Sequence, residues 1–370
     1  MVETQSVVVG MSGGVDSSVS ALLLKQQGYR VIGLFMKNWE EKDENGVCSS
    51  AADYDDVKRV CELIDIPYYS VNFVEKYQKQ VFDQFIKDFK RGLTPNPDVL
   101  CNREIKFNAF LDKALDLGAD FLATGHYSQN RVVDGQNCLV KGLDGQKDQT
   151  YFLYTLSSST LEKVLFPIGG MEKGEVRRLA RLHGLPTSEK KDSTGICFIG
   201  ERHFRTFLSQ YIAIQPGNFE TLCGKIVGKH QGAAYYTIGQ RKGLAIGGAG
   251  DAWFVVDKDI QKNVVYVVQG ADHPALYLDR LTASDLSWVS GKPPALPCSC
   301  NSKIRYRQAD QPCVIQKIED GCAWVTFPQP QRAVTPGQSI VFYDGPICLG
   351  GGVINPTSAL RERSSCTISL

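Results

Sequence analysis

The apolar positions change their period several times along this 370-residue chain. Near the start, Val7-Val8-Val9 forms a short unbroken β-branched run, the mark of a strand covered on both faces. It turns through Gly13-Gly14 into a segment with Val15, Val19, Leu22 and Leu23 at helical spacing. Residues 31–36 predict a second strand, residues 53–64 a helix closed by Pro67, and residues 68–71 a third strand. A stripe of Tyr77, Val81, Phe82, Phe85, Ile86 and Phe89 predicts a helix over residues 75–90. Residues 105–117 carry Phe110, Leu111, Ala114 and Leu115 on one side of another helix, ended by Gly118. Residues 120–124 predict a further strand running into Gly125-His126.

Strands alternating with helices imply an α/β fold with a doubly wound parallel sheet. Ligands bind such sheets at the carboxyl ends of the strands, where residues 12–18, Met36 and Gly125-His126 all fall. From about 160 to 212 the pattern turns helical and basic. A helix over 172–183 places Val176, Leu179 and Ala180 inward and Arg177, Arg178 and Arg181 outward. Beyond Gly217, short alternating runs at 253–257, 264–269, 313–318 and 323–327 are separated by Gly, Asp or Pro turns, the texture of a small β-barrel. Three units follow: a sheet domain at 1–160, a small helical middle domain at 161–215, and a C-terminal β-barrel at 216–370.

A hydrophobic fraction of 43% and a charged fraction of 22% are those of an ordinary soluble protein. No apolar run is long enough to span a bilayer. The first strand starts within a few residues of Met1, leaving no room for a targeting peptide, so the expected location is cytoplasmic. Twelve cysteines in that setting read as thiols rather than a disulfide framework. Formal net charge is only +1, but its distribution is uneven. Residues 1–100 hold 11 Lys/Arg and 15 Asp/Glu, whereas residues 160–245 hold 13 Lys/Arg and 7 Asp/Glu. That asymmetry suits a polyanion docking on the middle of the chain, and equally an ordinary solvated surface.

The turn itself, Gly10-Met11-Ser12-Gly13-Gly14-Val15-Asp16-Ser17, has the makings of a phosphate cradle. Glycines let the backbone approach a ligand, helix-start N–H groups point outward, and the hydroxyls of Ser12, Ser17 and Ser18 add donors. A Walker loop would carry a lysine before its serine; here Asp16 stands in that place. Ser-Gly-Gly-x-Asp-Ser resembles the loop of PP-loop ATP pyrophosphatases (adenine nucleotide alpha hydrolase-like), which cleave ATP between the α- and β-phosphates. Glycine-rich strand–helix turns also occur for close packing alone.

Two cysteines stand in unusual surroundings. Cys101 follows Pro95-Asn96-Pro97-Asp98, a proline-stiffened loop feeding a helix, where the dipole favours thiolate. Asp98 is placed to handle a proton nearby. Cys197 lies between Gly195 and Gly200, downstream of Lys190-Lys191. Each also fits the role of a small buried hydrophobe, but such loops are poor places for a core. Two loop thiols brought together can pass sulfur by thiol–disulfide chemistry. Cys298-Ser299-Cys300 has no partner pair at zinc-finger spacing, so no metal ligand set is expected. No C-x-x-C occurs, which argues against a cluster-bearing thiolase.

The ordered set of Gly10 to Ser17, Asn96-Pro97-Asp98 with Cys101, Gly125-His126, Lys147-Asp148-Gln149, Gly195-Ile196-Cys197 and Thr237 to Gly243 resembles the bacterial tRNA-specific 2-thiouridylases over essentially the whole length. The resemblance implies that ATP and Mg²⁺ bind at Gly10, Met11, Ser12, Gly13, Gly14, Val15, Asp16 and Ser17, with Met36 and Gly125 at the adenosine. It implies a wobble uridine adenylated at O2 and thiolated from a persulfide on Cys197, with Cys101 resolving the S–S bond and Asp98 as acid or base. By the same resemblance Asn96, Pro97 and Asp98 line the target base, and His126, Lys147, Asp148, Gln149, Arg305, Tyr306 and Gln338 contact tRNA. The implied partners are tRNAs for Lys, Glu and Gln and a sulfur donor of a cysteine-desulfurase relay, with no membrane. Arg305-Tyr306-Arg307 independently offers charge beside a stacking face, although an amphipathic barrel strand reads the same way. Gln338 has no support beyond the resemblance.

Two other classes compete. A small-molecule ligase with the same loop, such as argininosuccinate or GMP synthetase, has no use for the two cysteines. A non-catalytic nucleotide module needs neither Asp16 nor reactive thiols.

Overall fold

The computed structural model describes residues 4–40, 49–192 and 204–356. Strand β1 (Ser6–Met11) is buried along almost its whole length, as its unbroken Val7-Val8-Val9 run requires. It pairs in parallel with β2 (Arg30–Lys37) on one side and β4 (Phe121–Ala123) on the other. β3 (Tyr68–Asn72) extends the first side and β7 (Val164–Leu165) the second, giving a five-stranded parallel sheet in the order β3-β2-β1-β4-β7. Strand order reverses between β1 and β4, which opens a crevice at their carboxyl ends.

Helices cover both faces. On one face α1 (Val15–Gln26) and α2 (Ser49–Leu63) bury Val19, Leu22, Val57 and Val60 against β1 and β2. Helix Lys173–Leu182 joins them there through Val176 and Ala180. Expected in the middle unit, this helix packs on α1, and β7 becomes an edge of the parallel sheet. On the other face Phe107, Phe110, Leu111 and Ala114 pack on Val8 and Leu34. Gly10 lets Phe110 pack closely, since a Cβ would stand 3.1 Å from its ring. Burying each such side chain is worth roughly 1.5–3 kcal/mol.

The helix expected over 105–117 starts eight residues earlier. Pro97–Leu100, Cys101–Ala109 and Phe110–Asp116 run on as one helical stretch, its middle part wound with the wide π pitch. Asn96 is its N-cap, accepting from the Asp98 N–H at 3.2 Å, and Pro97 takes the first position. Pro95-Asn96-Pro97 is thus a helix start rather than a loop preceding one.

From Gly217 on, the strands sort into two sheets. β8 (Gly217–Glu220), β9 (Ile226–His230), β10 (Trp253–Asp259) and β11 (Val264–Gln269) form a four-stranded sheet whose Phe219, Val255, Val265 and Val267 share a core with Phe82, Phe85 and Cys101. β12 (Tyr277–Trp288), β13 (Cys298–Lys303), β14 (Gln311–Glu319), β15 (Cys322–Arg332), β16 (Ser339–Asp344) and β17 (Ile347–Ile354) close into a barrel through β12–β17 pairing. A hairpin of β5 (Ser128–Val133) and β6 (Gln136–Lys141) leaves the first domain and joins the barrel, Val140 pairing with Ile347. The barrel is therefore anchored to the segment directly after Gly125-His126.

Candidate active site

The loop between β1 and α1 is shaped by two glycines. Gly13 has φ +74°, and a Cβ there would lie 2.6 Å from the Asp53 carbonyl oxygen. Gly14 caps α1 without a side chain, which leaves the first N–H groups of the helix unobstructed. Ser12 is exposed; its N–H donates to Ser17 Oγ at 3.2 Å, and Ser17 Oγ donates to the Gly14 carbonyl at 3.1 Å. Ser18 is turned inward, donating to Gly14 O at 2.8 Å and accepting from Thr187. Met11 and Val15 are buried, so they offer the crevice backbone only.

Gly125, from the end of β4, closes on this loop. A Cβ there would stand 2.8 Å from both the Asp16 carbonyl carbon and the Ser17 nitrogen. Predicted positions far apart in the sequence, Gly125 and Asp16-Ser17, therefore meet. Met36, at the carboxyl end of β2, lies at the edge of the cores on the same side.

Asp16 is the centre of a charged cluster. Tyr127 Oη donates to its Oδ1 at 2.7 Å, and Lys173 Nζ stands 2.8 Å from each carboxylate oxygen. The same ammonium lies 2.7 Å from Asp192 Oδ1. Asp192 also accepts from Lys147 at 2.6 Å and from Arg177 at 2.9 Å. Burial would raise the Asp192 carboxyl, but its bonds to Lys147 and Lys173 win and hold it down at about 2. Burial and the neighbouring Asp16 charge push the Tyr127 phenol up, so it remains a donor. Lys173, Tyr127 and Asp192 were not legible as site residues. Lys173 stands 157 positions from Asp16, and nothing local announces it.

Cys101 lies one turn inside its helix, its side chain buried among Phe82, Phe85, Ile105 and Phe207, with Met36 and Trp39 at the edge of the cluster. The positive end of the helix acts mainly over the first turn, on Pro97 to Val99. The sequence-based expectation of a loop thiol at a helix start is corrected accordingly. Asp98 stands partly buried on that first turn; burial raises its carboxyl pKa, and Lys106 pulls in the opposite direction. Lys106 also lowers His126, whose imidazole burial already drives well below its ordinary value. Asp98, Lys106 and His126 thus share one electrostatic neighbourhood. His126 is held by Thr124 Oγ1 at 2.8 Å from Nδ1 and boxed by Phe107 and Phe166, a neutral ring set in place rather than a phosphate cation.

The residues expected to meet tRNA divide by burial. Lys147 is spent on Asp192 in this structure, and Gln149 Oε1 accepts from the Tyr127 N–H at 2.9 Å. The Asp148 carboxylate is buried, accepting from Thr150 and lying 3.3 Å from Lys303 Nζ. It is engaged inside the protein. Arg305 and Tyr306 sit on the turn after β13, not in a strand. Arg305 Nη2 donates to the Ala333 carbonyl at 2.6 Å, and the Tyr306 ring packs on Phe152 at a tilt of 49° with centroids 4.4 Å apart. Gln338 donates to the carbonyl of Thr94 at 2.8 Å. Cys197 lies outside the described residues. On either side of it, Asp192 is tied to the phosphate loop through Lys173, and Phe207 packs in the Cys101 cluster. Among the described residues no group of three or more His, Cys, Asp or Glu could hold a metal.

A glycine cradle with the Asp16 carboxylate at the switch point of a parallel sheet places the chain in the class of α/β phosphate-loop enzymes. A family model described as tRNA methyl transferase HUP domain matches residues 5–201. Models described as tRNA methyl transferase PRC-barrel domain and aminomethyltransferase beta-barrel domain match residues 205–269 and 278–354. The chain is 72% identical over 355 residues to tRNA-specific 2-thiouridylase MnmA of Protochlamydia amoebophila, covering 96% of this chain and 94% of that one. It is 56% identical to the tRNA-specific 2-thiouridylase MnmA of Halalkalibacterium halodurans, covering 97% of each. The chain belongs to the tRNA-specific 2-thiouridylase family. Among solved structures it is similar to the U34-tRNA thiolase NcsA of Methanococcus maripaludis, with 21% identity, a TM-score of 0.35, and coverage of 56% of this chain and 65% of that one.

Proposed function

We propose that this protein is an ATP-dependent tRNA 2-thiouridylase that replaces the O2 oxygen of the wobble uridine (position 34) with sulfur. The observation that carries the reading is the convergence of the Ser12–Ser17 phosphate loop, Gly125 and Asp16 at one end of the sheet, with the adjoining His126 packed on Phe107 of the helical stretch that Asn96 caps. ATP suits the cradle through its backbone: Gly14 caps α1 with no side chain, so the N–H groups of the helix start are left for phosphate oxygens. Mg²⁺ arriving with the phosphates would find Asp16 as its protein ligand, where it neutralises phosphate charge.

A base-modifying enzyme must first turn its target out of the stack. Asn96-Pro97-Asp98 is the rigid edge that receives the uracil, its backbone fixed by the N-cap bond and by proline. Uracil O2 attacks the α-phosphorus, the bond to the β-phosphate oxygen breaks, and pyrophosphate leaves. Asp98 takes the N3 proton. The terminal sulfur of a Cys197 persulfide then attacks C2 and AMP departs with the oxygen. Cys101 thiolate attacks the Cys197 sulfur, releasing 2-thiouridine and leaving a Cys101–Cys197 disulfide, which an external dithiol reduces. The ties of Asp192 and Phe207 on either side of Cys197 support its delivery to this site. We further assign tRNAs for Lys, Glu and Gln as substrates, a cysteine-desulfurase relay as sulfur source, and the cytoplasm as location. No helix among the described residues is long and apolar enough to cross a membrane.

Incubation of the protein with ATP, unmodified tRNA and a sulfide source, followed by nucleoside mass spectrometry, tests the reading. It should yield 2-thiouridine and one pyrophosphate per base. Pyrophosphate release stimulated by a small acid instead of tRNA would reassign the chain to the ligases.

A further inference from the structure

The phosphate loop has no lysine in its own sequence, yet the fold places one against it. Lys173 projects from the first position of helix Lys173–Leu182, and its side chain is only 12% exposed. Its three N–H bonds are matched by three carboxylate oxygens, both of Asp16 at 2.8 Å and Oδ1 of Asp192 at 2.7 Å. Asp192 does not depend on it, because Lys147 and Arg177 stand within 2.6 and 2.9 Å. Three cations thus face two carboxylates at the mouth of the cradle, and Lys173 alone among them reaches both acids. A buried ammonium shared in this way is held at the loop without being committed to one partner.

We propose that Lys173 is a catalytic residue of the adenylation step: it turns from Asp16 to the phosphate chain of ATP and neutralises the charge that grows on departing pyrophosphate. With Mg²⁺ held by the Asp16 carboxylate, Lys173 would exchange that partner for the phosphates. As uracil O2 bonds to the α-phosphorus and the α–β bridging bond breaks, the bridging electron pair stays on the pyrophosphate oxygen. Lys173 is the fixed cation beside it, and Asp192 is the competing acceptor that sets how tightly it is retained. Preorganised charge of this kind acts most strongly on the transition state. The inference rests on the ATP-dependent reading above and adds a residue that the phosphate-loop string does not contain.

The test measures tRNA-dependent pyrophosphate release together with the Kd for a fluorescent ATP analogue, in the full-length protein. Lys173→Met is expected to lose about a hundredfold in release rate and to bind the analogue more weakly, with tRNA affinity unchanged. Asp192→Asn removes the competing acceptor and keeps Lys173 paired with Asp16, so it is expected to bind the analogue more tightly than wild type. Should the methionine variant not fold, the asparagine variant decides when paired with Lys173→Gln: Asp192 also releases Lys147 and Arg177, so the gain in affinity must vanish in the double variant if it comes from Lys173. Wild-type release by Lys173→Met, or weaker nucleotide binding by Asp192→Asn, overturns the proposal. If wild-type protein itself releases no pyrophosphate with tRNA, the adenylation reading fails, an outcome separate from equal release by wild type and Lys173→Met.

Discussion

Gln338 Nε2 donates to the Thr94 carbonyl oxygen at 2.8 Å, and the Thr94 N–H donates to the Pro336 carbonyl at 2.9 Å. A turn of the C-terminal barrel thereby grips the chain two residues before the Asn96 cap and seven before Cys101. The grip is close: a Cβ at Gly337 would lie 2.9 Å from both Leu93 Cβ and the Thr94 nitrogen. Gln338 can then serve the base-receiving edge by positioning it, apart from any contact with RNA. Gln338→Ala is expected to cost about 1 kcal/mol in urea denaturation. Because small misplacements at a reacting centre are costly, its rate at saturating tRNA should fall about tenfold, with tRNA Kd changed less than about threefold. Loss of affinity with an unchanged saturated rate would assign Gln338 to RNA contact alone.

Asp98 is a site where function and stability oppose each other. Burial lifts its folded pKa above the unfolded value of 3.8, against the pull of Lys106. The native state therefore binds the proton more tightly than the unfolded chain does. Stability from this group is fully present below the unfolded pKa and is lost as pH rises through the folded one. At neutral pH the ionised carboxylate is a liability for folding that a proton acceptor needs. Asp98→Asn should melt at higher temperature than wild type at pH 7 and lose most of its adenylation. In wild type, pyrophosphate release should fall as pH drops through a value above the ordinary carboxylate range, and this limb should be missing from the variant. A variant less stable than wild type at pH 7 would show that Asp98 is held by partners that favour its charge.

Asp148 illustrates how a family motif can mix roles. Lys147-Asp148-Gln149 is one string, yet its middle side chain is 2% exposed and 3.3 Å from Lys303 Nζ, itself 10% exposed. Breaking one side of a buried pair costs about 3–5 kcal/mol when the other charge is left uncompensated. Asp310, 3.9 Å from Lys303 Nζ, keeps part of the balance, so Asp148→Asn should show a loss at the lower end of that range in denaturant unfolding. Adding Lys303→Met should recover part of it, since the under-paired ammonium is then gone. An Asp148→Asn protein as stable as wild type, with weakened tRNA binding, would return the residue to the RNA surface.

The legible parts of this molecule were those that local spacing dictates. Val7-Val8-Val9 had to be a doubly covered strand, and the helical stripes from Tyr77 to Phe89 and around Val176 and Ala180 folded inward as their period required. The phosphate loop was legible because its string is local, and at Gly13 the positive φ and the contact with Asp53 admit no side chain. Other features depended on distant partners. Pro95-Asn96-Pro97 looked like a loop because two prolines bracket it, but the second proline only fixes a helix start that Asn96 caps. The run from 216 onward looked like one barrel because alternation marks strands without saying which sheet each joins; parallel pairing of β11 with β8 sets the four-stranded sheet apart. The Asp16–Lys173–Asp192 cluster was invisible for the same reason, being assembled from three separate segments.

Arg305 is the residue for which the two kinds of reading differ most sharply in what they predict. Beside Tyr306 in sequence it suggests a phosphate contact. In the fold its Nη2 donates to Ala333 O at 2.6 Å, with Thr335 Oγ1 at 3.3 Å and Ile238 O at 3.4 Å. Burial lowers its pKa, and a Cβ on Gly239 would approach the guanidinium to 3.3 Å. The side chain thus ties the turn after β13 to the Thr237–Gly243 segment and to the turn before β16. Arg305→Ala leaves those carbonyls without their donor and opens the space between the segments, so a loss of about 2–3 kcal/mol is expected in denaturant unfolding. The salt dependence of tRNA binding separates this role from a phosphate contact. Each phosphate neutralised contributes about 0.7–0.9 to the slope of log K against log salt. The slope for Arg305→Ala should match wild type within about 0.3, because its charge is engaged inside the protein. A slope reduced by nearly one contact, in a variant that unfolds like wild type, would show that the guanidinium leaves its carbonyls to bind RNA.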